Sequence, residues 1–95
     1  FLAGQVADNA DGTSVAEQTA DILKQIDALL AEVGSDKTRI LSTTIWLADI
    51  STFSEMNAVW DSWVPAGHTP ARATVEAKLA APQYKIEIGI IAAQK

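Results

Sequence analysis

The chain has 95 residues, 48% hydrophobic and 20% charged, with no cysteine, one histidine and a formal net charge of −5. That length fits a single domain over residues 1–95, and the composition excludes a disordered tail, a disulfide scaffold, a thiol nucleophile and a Cys-based zinc site. A lone histidine excludes sites needing two imidazoles, and the acidic balance argues against nucleic acid, which is bound through Lys and Arg on phosphates.

Residues 1–6 read as the end of a strand. Asp8-Asn9-Ala10-Asp11-Gly12 reads as a turn, because Asn, Asp and Gly tolerate left-handed backbone. Ser14-Val15-Ala16-Glu17 has capping-box spacing, so a helix is predicted to follow. Its apolar stripe is Val15, Ile22, Leu23, Ile26, Leu29, Leu30 and Val33, and Gly34 suits the position just past its end. Arg39–Leu47, rich in β-branched residues, reads as a strand. Thr52-Phe53-Ser54-Glu55 is a second capping box, and Phe53, Met56, Trp60 and Trp63 predict a second helix buried along that stripe.

Pro65, Gly67 and Pro70 end that helix in a loop. Ala73–Leu79 and Tyr84–Ala92 read as strands separated by a break at Pro82. Strand, helix, strand, helix, strand, strand is an α+β order, a mixed sheet with two helices packed on one face. The other face would expose apolar side chains, such as Val75 or the Ile86-Ile88-Ile90 row. Cyclic association of about three subunits would cover them.

No apolar stretch approaches the ~20 residues of a membrane span. The start has neither the basic end nor the apolar core of a signal peptide, so a cytoplasmic protein is expected. The opening apolar run has no initiator Met, which suggests a segment ahead of Phe1.

Residues 7–18 mimic a calcium loop, but Ala7 and Gln18 occupy the first and last ligand positions, where carboxylates are needed. His68 has no partner nucleophile in sight, and Trp46, Trp60 and Trp63 read as core. Pro70-Ala71-Arg72-Ala73-Thr74 is more unusual. A guanidinium where a stiffened loop becomes a strand suits bidentate capture of a small carboxylate. Glu87, opposite in facing to Ile86 and Ile88, suits positioning or deprotonating a water. Spacing alone leaves open an Arg72–Glu87 or Arg72–Glu76 bridge that only ties strands together.

These stretches also carry a resemblance. Gly4-Gln5, EQTADILKQIDALLAEVGS at 17–35, ILSTTIWLADISTFSEMNAVWDSWV at 40–64, GHTPARATVEAKL at 67–79 and YKIEIGIIAA at 84–93 are similar to the RidA/YjgF family, its YoaB-like branch above all. The resemblance implies a chorismate-mutase-like α+β fold in a homotrimer, with sheets lining a central barrel and sites between subunits. It implies hydrolysis of 2-imino acids to 2-keto acids and ammonia, with no cofactor, metal, nucleic acid or membrane involved. Arg72 matches the carboxylate clamp and Glu87 the glutamate that orients water. Gly4, Asn57, Ala73 and Thr74 fall at substrate-binding positions, Thr74 where many members have Cys.

Two departures stand out. Ala3 replaces a hydroxyl residue, and the family's N-terminal strand, with a site-lining Tyr, has no counterpart here. A non-catalytic module binding keto acids is the rival expectation. Ribonuclease activity, a familiar label in this family, fits the charge and the single histidine poorly.

Overall fold

A computed structural model describes residues 2–67 and 69–93, so His68 lies outside the described residues. Strand β1 (Leu2–Gln5) is followed by helix α1 (Val15–Glu32), β2 (Ile40–Leu47), α2 (Phe53–Trp63), β3 (Ala71–Glu76) and β4 (Ile86–Ala92). Short 3-10 turns at Lys37–Arg39 and Ile50–Thr52 lead into β2 and α2. The sheet order is β1-β4-β2-β3, with β2 and β3 parallel and the other pairs antiparallel. The parallel pair needs a crossover, and α2 supplies it.

Helix α1 forms as its ends dictate. The Ser14 hydroxyl accepts the Glu17 N–H and the Glu17 carboxylate accepts the Ser14 N–H, both at 3.1 Å. At the other end Gly34 takes φ +71°, the Gly34 N–H donates to Ala31 O, and the Ser35 N–H donates to Leu30 O at 2.8 Å. That pair of bonds satisfies carbonyls the helix would otherwise leave open. The turn before α1 is left-handed at Asn9 and Gly12, as those residue types suggest.

The stripe needs two corrections. Val33 is exposed, because it lies at the turn where the chain leaves the helix, and Gln18 and Thr19 are buried instead. Gln18 fits because its amide is fully used. Nε2 donates to Gln83 O at 3.0 Å and to Ala10 O at 3.3 Å, and Oε1 accepts the Lys85 N–H at 2.9 Å. One side chain thereby fastens two loops to the helix.

The second capping box does not form. Thr52 has φ −87° and ψ 6°, already turning inside the 3-10 segment, whereas a capping side chain needs extended backbone. Its hydroxyl donates to Asp49 O, and the Glu55 carboxylate accepts the Ala16 N–H at 2.9 Å. Glu55 thus caps α1 from the first turn of α2.

Both later strands are displaced from their predicted bounds. β3 starts at Ala71, two residues early, and ends at Glu76, because the parallel register runs Ser42–Ala71 through Leu47–Glu76 and β2 then ends. Arg39 and Tyr84 lie in turns, so β2 and β4 begin one and two residues later than expected.

Paired residues on neighbouring strands share a face. Ile45, Leu47, Ile86, Ile88 and Ile90 therefore point together at the helices and are 0–2% exposed, joined by Ile22, Leu23, Ile26, Leu30, Met56 and Trp60. The Ile86-Ile88-Ile90 row is thus core rather than an uncovered patch. The open face does carry Val75, 44% exposed, and Ile91, 37% exposed. Trp46 also faces that side and is half-buried, not part of the core. Phe53, at 36% exposure, is the outer member of the α2 stripe.

Candidate functional site

The expected site residues fall into two clusters on opposite faces of the sheet. β3 is an edge strand, and Arg72 on it pairs in register with Thr43, which faces the helices. The Arg72 side chain therefore lies toward α2. Its Nη1 donates to Asn57 Oδ1 at 2.7 Å. Its guanidinium carbon is 5.5 Å from the Phe53 ring centroid and 5.4 Å from that of Trp60. Phe53, Asn57 and Trp60 stand at three and four residue steps on α2, so one helix face supplies all three contacts. Thr74, two residues along β3, shares this side, and its hydroxyl is buried without a hydrogen-bond partner among the described residues.

Glu87 lies on the other face. It pairs with Trp46, which pairs with Val75, and those side chains point away from the helices. Its carboxylate sits over Gly4, where a Cβ would come 2.1 Å from Glu87 Oε2. Gly4 is thus a required absence of side chain: any larger residue displaces the carboxylate. Gly89 plays a milder version of that role for Trp46, whose ring would lie 3.2 Å from a Cβ there. Gly4, Gly89, Ser42, Thr44 and Trp46 line a shallow cavity of about 190 Å³ on this face. Ala73 is exposed on the same side, opposite Thr44. A roomier hollow of about 560 Å³ lies along Glu76–Pro82, away from both clusters, and brings together none of these residues.

Both strand-tying bridges that the spacing allowed are missing. Among the described residues no carboxylate pairs with Arg72, and Glu76 instead accepts the Ile50 N–H at 2.9 Å. What the sequence did not single out is the pair of rings beside Arg72. The i, i+4, i+7 spacing of Phe53, Asn57 and Trp60 was a usable signal, but an aromatic stripe reads first as core, and the edge position of β3 is not legible locally.

Residues 1–94 match the endoribonuclease L-PSP family. This chain belongs to that family, which includes the RidA/YjgF proteins it resembles. The RutC family protein YoaB of Escherichia coli (strain K12) is 53% identical over 88 residues, 93% of this chain and 76% of that protein. The rat protein named 2-iminobutanoate/2-iminopropanoate deaminase is 32% identical over 99 residues, 99% of this chain and 72% of that protein. A YjgF-family crystal structure from Neisseria meningitidis superposes with a TM-score of 0.96 at 55% identity, covering 100% of this chain and 78% of that one. The family's fold is therefore the fold of this chain, with two helices on a four-stranded mixed sheet. No helix among the described residues is long and apolar enough to cross a membrane.

Proposed function

We propose that this chain is one subunit of a homotrimeric hydrolase of small 2-imino acids and their enamine tautomers, of the 2-aminoacrylate or 2-iminobutanoate type. The observation that carries the reading is Arg72. Its guanidinium is held by Asn57 and flanked by two rings, yet no carboxylate of the described chain neutralises it. A half-buried cation with no carboxylate partner among the described residues is suited to a ligand carboxylate. The name of the rat relative supports the choice of ligand.

Arg72 and Glu87 point to opposite faces of one sheet, so a productive pair joins Arg72 of one subunit with Glu87 of the next. Arg72 fixes the substrate carboxylate and leaves the imine carbon facing a water on Glu87. The water oxygen bonds to that carbon as Glu87 takes its proton, and the C=N π electrons move to nitrogen, which receives that proton back from Glu87. The C–N bond of the carbinolamine then breaks as its hydroxyl proton passes through Glu87 to the departing nitrogen, giving ammonia and the 2-keto acid. Imines are electrophilic enough that positioning plus one acid–base group suffices.

The deciding assay generates 2-imino acids with an amino-acid oxidase and traps them with semicarbazide. The wild type suppresses semicarbazone formation, and Arg72→Ala and Glu87→Gln each abolish the suppression. Mixing the two variants and reassociating the subunits restores part of it, because a mixed trimer contains sites with both native residues. No recovery would place both groups in one subunit's site. Retained suppression by a trimeric Arg72→Ala protein would end the mechanism.

One observation favours a second reading. Ala3 stands where the resembling family has a hydroxyl residue, which supports keto-acid binding without turnover. Calorimetric binding of 2-ketobutyrate with no effect on trapping would select it. RNA cleavage is not proposed, since a chain of net charge −5 with one histidine supplies few phosphate contacts.

A further inference from the structure

Arg72 is held by a chain of contacts that begins at an exposed carboxylate. Asn57 uses both ends of its amide. Oδ1 accepts from Arg72 Nη1 at 2.7 Å, and Nδ2 donates to Asp61 Oδ2 at 3.3 Å, one helical turn further along α2. The opposite amide orientation would set an NH2 against the guanidinium N–H and a carbonyl against the carboxylate, so Asp61 selects the useful one. Trp60 and Phe53, on the same helix face, put ring faces within 5.5 Å of the guanidinium carbon.

We propose that Asp61, Asn57 and the Phe53–Trp60 pair are positioning residues that fix the rotation of the Arg72 guanidinium. Asn57 is then not a substrate-binding residue; its acceptor is already engaged by Arg72. With Nη1 turned to Asn57, the remaining donors present one defined edge to a ligand carboxylate. Preorganisation of this kind lowers the ordering cost of binding, so its loss weakens affinity more than turnover. The consequence for ligands rests on the reading of Arg72 as the carboxylate clamp; the positioning itself does not.

The test exploits composition. Arg39 and Arg72 are the two arginines of the chain, so the guanidinium nitrogen spectrum of 15N-labelled protein has two side chains to assign, and Arg39→Lys identifies them. Rotation about the Nε–Cζ bond of Arg72 is measured by nitrogen NMR exchange in wild type, Asn57→Leu, Asn57→Asp and Asp61→Asn. The same proteins are titrated with 2-ketobutyrate and assayed by imine trapping.

The proposal expects hindered rotation in wild type, free rotation in Asn57→Leu and an intermediate rate in Asp61→Asn. Asn57→Asp keeps an acceptor and so keeps rotation hindered, while its new charge competes with the ligand. Apparent Kd and KM rise about tenfold in Asn57→Leu with kcat nearly constant, the scale of one hydrogen bond to a charged group. Rotation in Asn57→Leu as slow as in wild type overturns the proposal. Freed rotation with unchanged keto-acid affinity supports the positioning chain and counts instead against Arg72 as the carboxylate clamp. Asp61 is exposed and Asn57 half-buried on the helix surface, so these variants keep the fold.

Discussion

The two faces of the sheet are built from the same strands and by opposite rules. The helix-covered face is filled by Ile45, Leu47, Ile86, Ile88 and Ile90, each 0–2% exposed. The open face alternates bulk with gaps: Glu87 lies over Gly4, Trp46 lies over Gly89, and Ser42 and Thr44 line the hollow between. At both glycines a Cβ would crowd the neighbouring side chain, at 2.1 Å from Glu87 Oε2 and 3.2 Å from the Trp46 ring. Burial explains the first face, whereas on the second a glycine beneath each of Glu87 and Trp46 makes the room. Arg72 belongs to the first by register, yet sits on its edge strand, where α2 sets Phe53, Asn57 and Trp60 against it.

The sharpest way to break this contrast is to cut one side chain from each face. Ile88→Ala, on the filled face, is expected to lower stability by about 2–5 kcal/mol in urea unfolding, from lost transfer energy plus the cavity left behind. Val75→Ser with Ile91→Ser on the open face leaves the subunit fold nearly untouched. Sedimentation of that double variant is expected to show weakened subunit association, as the proposed trimer requires.

Gly4→Ala comes next. Its Cβ would take the space of Glu87 Oε2, so the carboxylate must swing away, with turnover in the trapping assay expected to fall by about 100-fold, the scale of a 1 Å misplacement. Melting should move far less than in Ile88→Ala. Turnover that stays at the wild-type level would mean that Glu87 acts from another position.

A smaller effect of opposite sign is expected at Thr43. It is 1% exposed on the filled face, and its hydroxyl has no partner among the described residues. Thr43→Val is close in shape and removes that buried polar atom, so stability should rise by about 1 kcal/mol. A clear loss in urea unfolding would show that the hydroxyl is satisfied after all.

The smallest effect belongs to the helix layer above that face. Hydrogen bonds from the Ser14 backbone N–H, and then from its hydroxyl, hold the Glu17 carboxyl below its ordinary pKa. A depressed carboxyl stabilises the fold fully above its unfolded pKa, and this is lost as pH falls through the lower folded value. Melting temperature measured against pH should therefore show a slightly shallower acid-side fall in Ser14→Ala, which keeps the backbone hydrogen bond, than in wild type, on a baseline lowered by loss of the helix cap.

Much of this molecule was legible locally, and the failures share a cause. Ser14, Glu17 and Gly34 act within one turn of the residues they satisfy, so α1 and its ends could be read directly. Thr52 and Glu55 have the same spacing as Ser14 and Glu17, but Glu55 meets α1, and no local rule contains that neighbour. Val33 and Trp46 are apolar and still face outward, because their exposure depends on which side the helices take. At the site, Arg72 and Glu87 stood out by residue type and context. That they lie back to back, with Asn57, Phe53 and Trp60 gathered at one of them, did not.

The sequence by itself determined the element order, the ends of α1 and the alternation that groups side chains by face, since each is set by contacts within a few residues. Only the tertiary structure decided which face became core, which strand became the edge and what Arg72 touches. Those outcomes follow from the parallel register of β2 with β3 across the α2 crossover, a pairing between residues about 30 apart in the chain. Chain entropy opposes such a pairing until the packed core stabilises it, so no short stretch of sequence announces it.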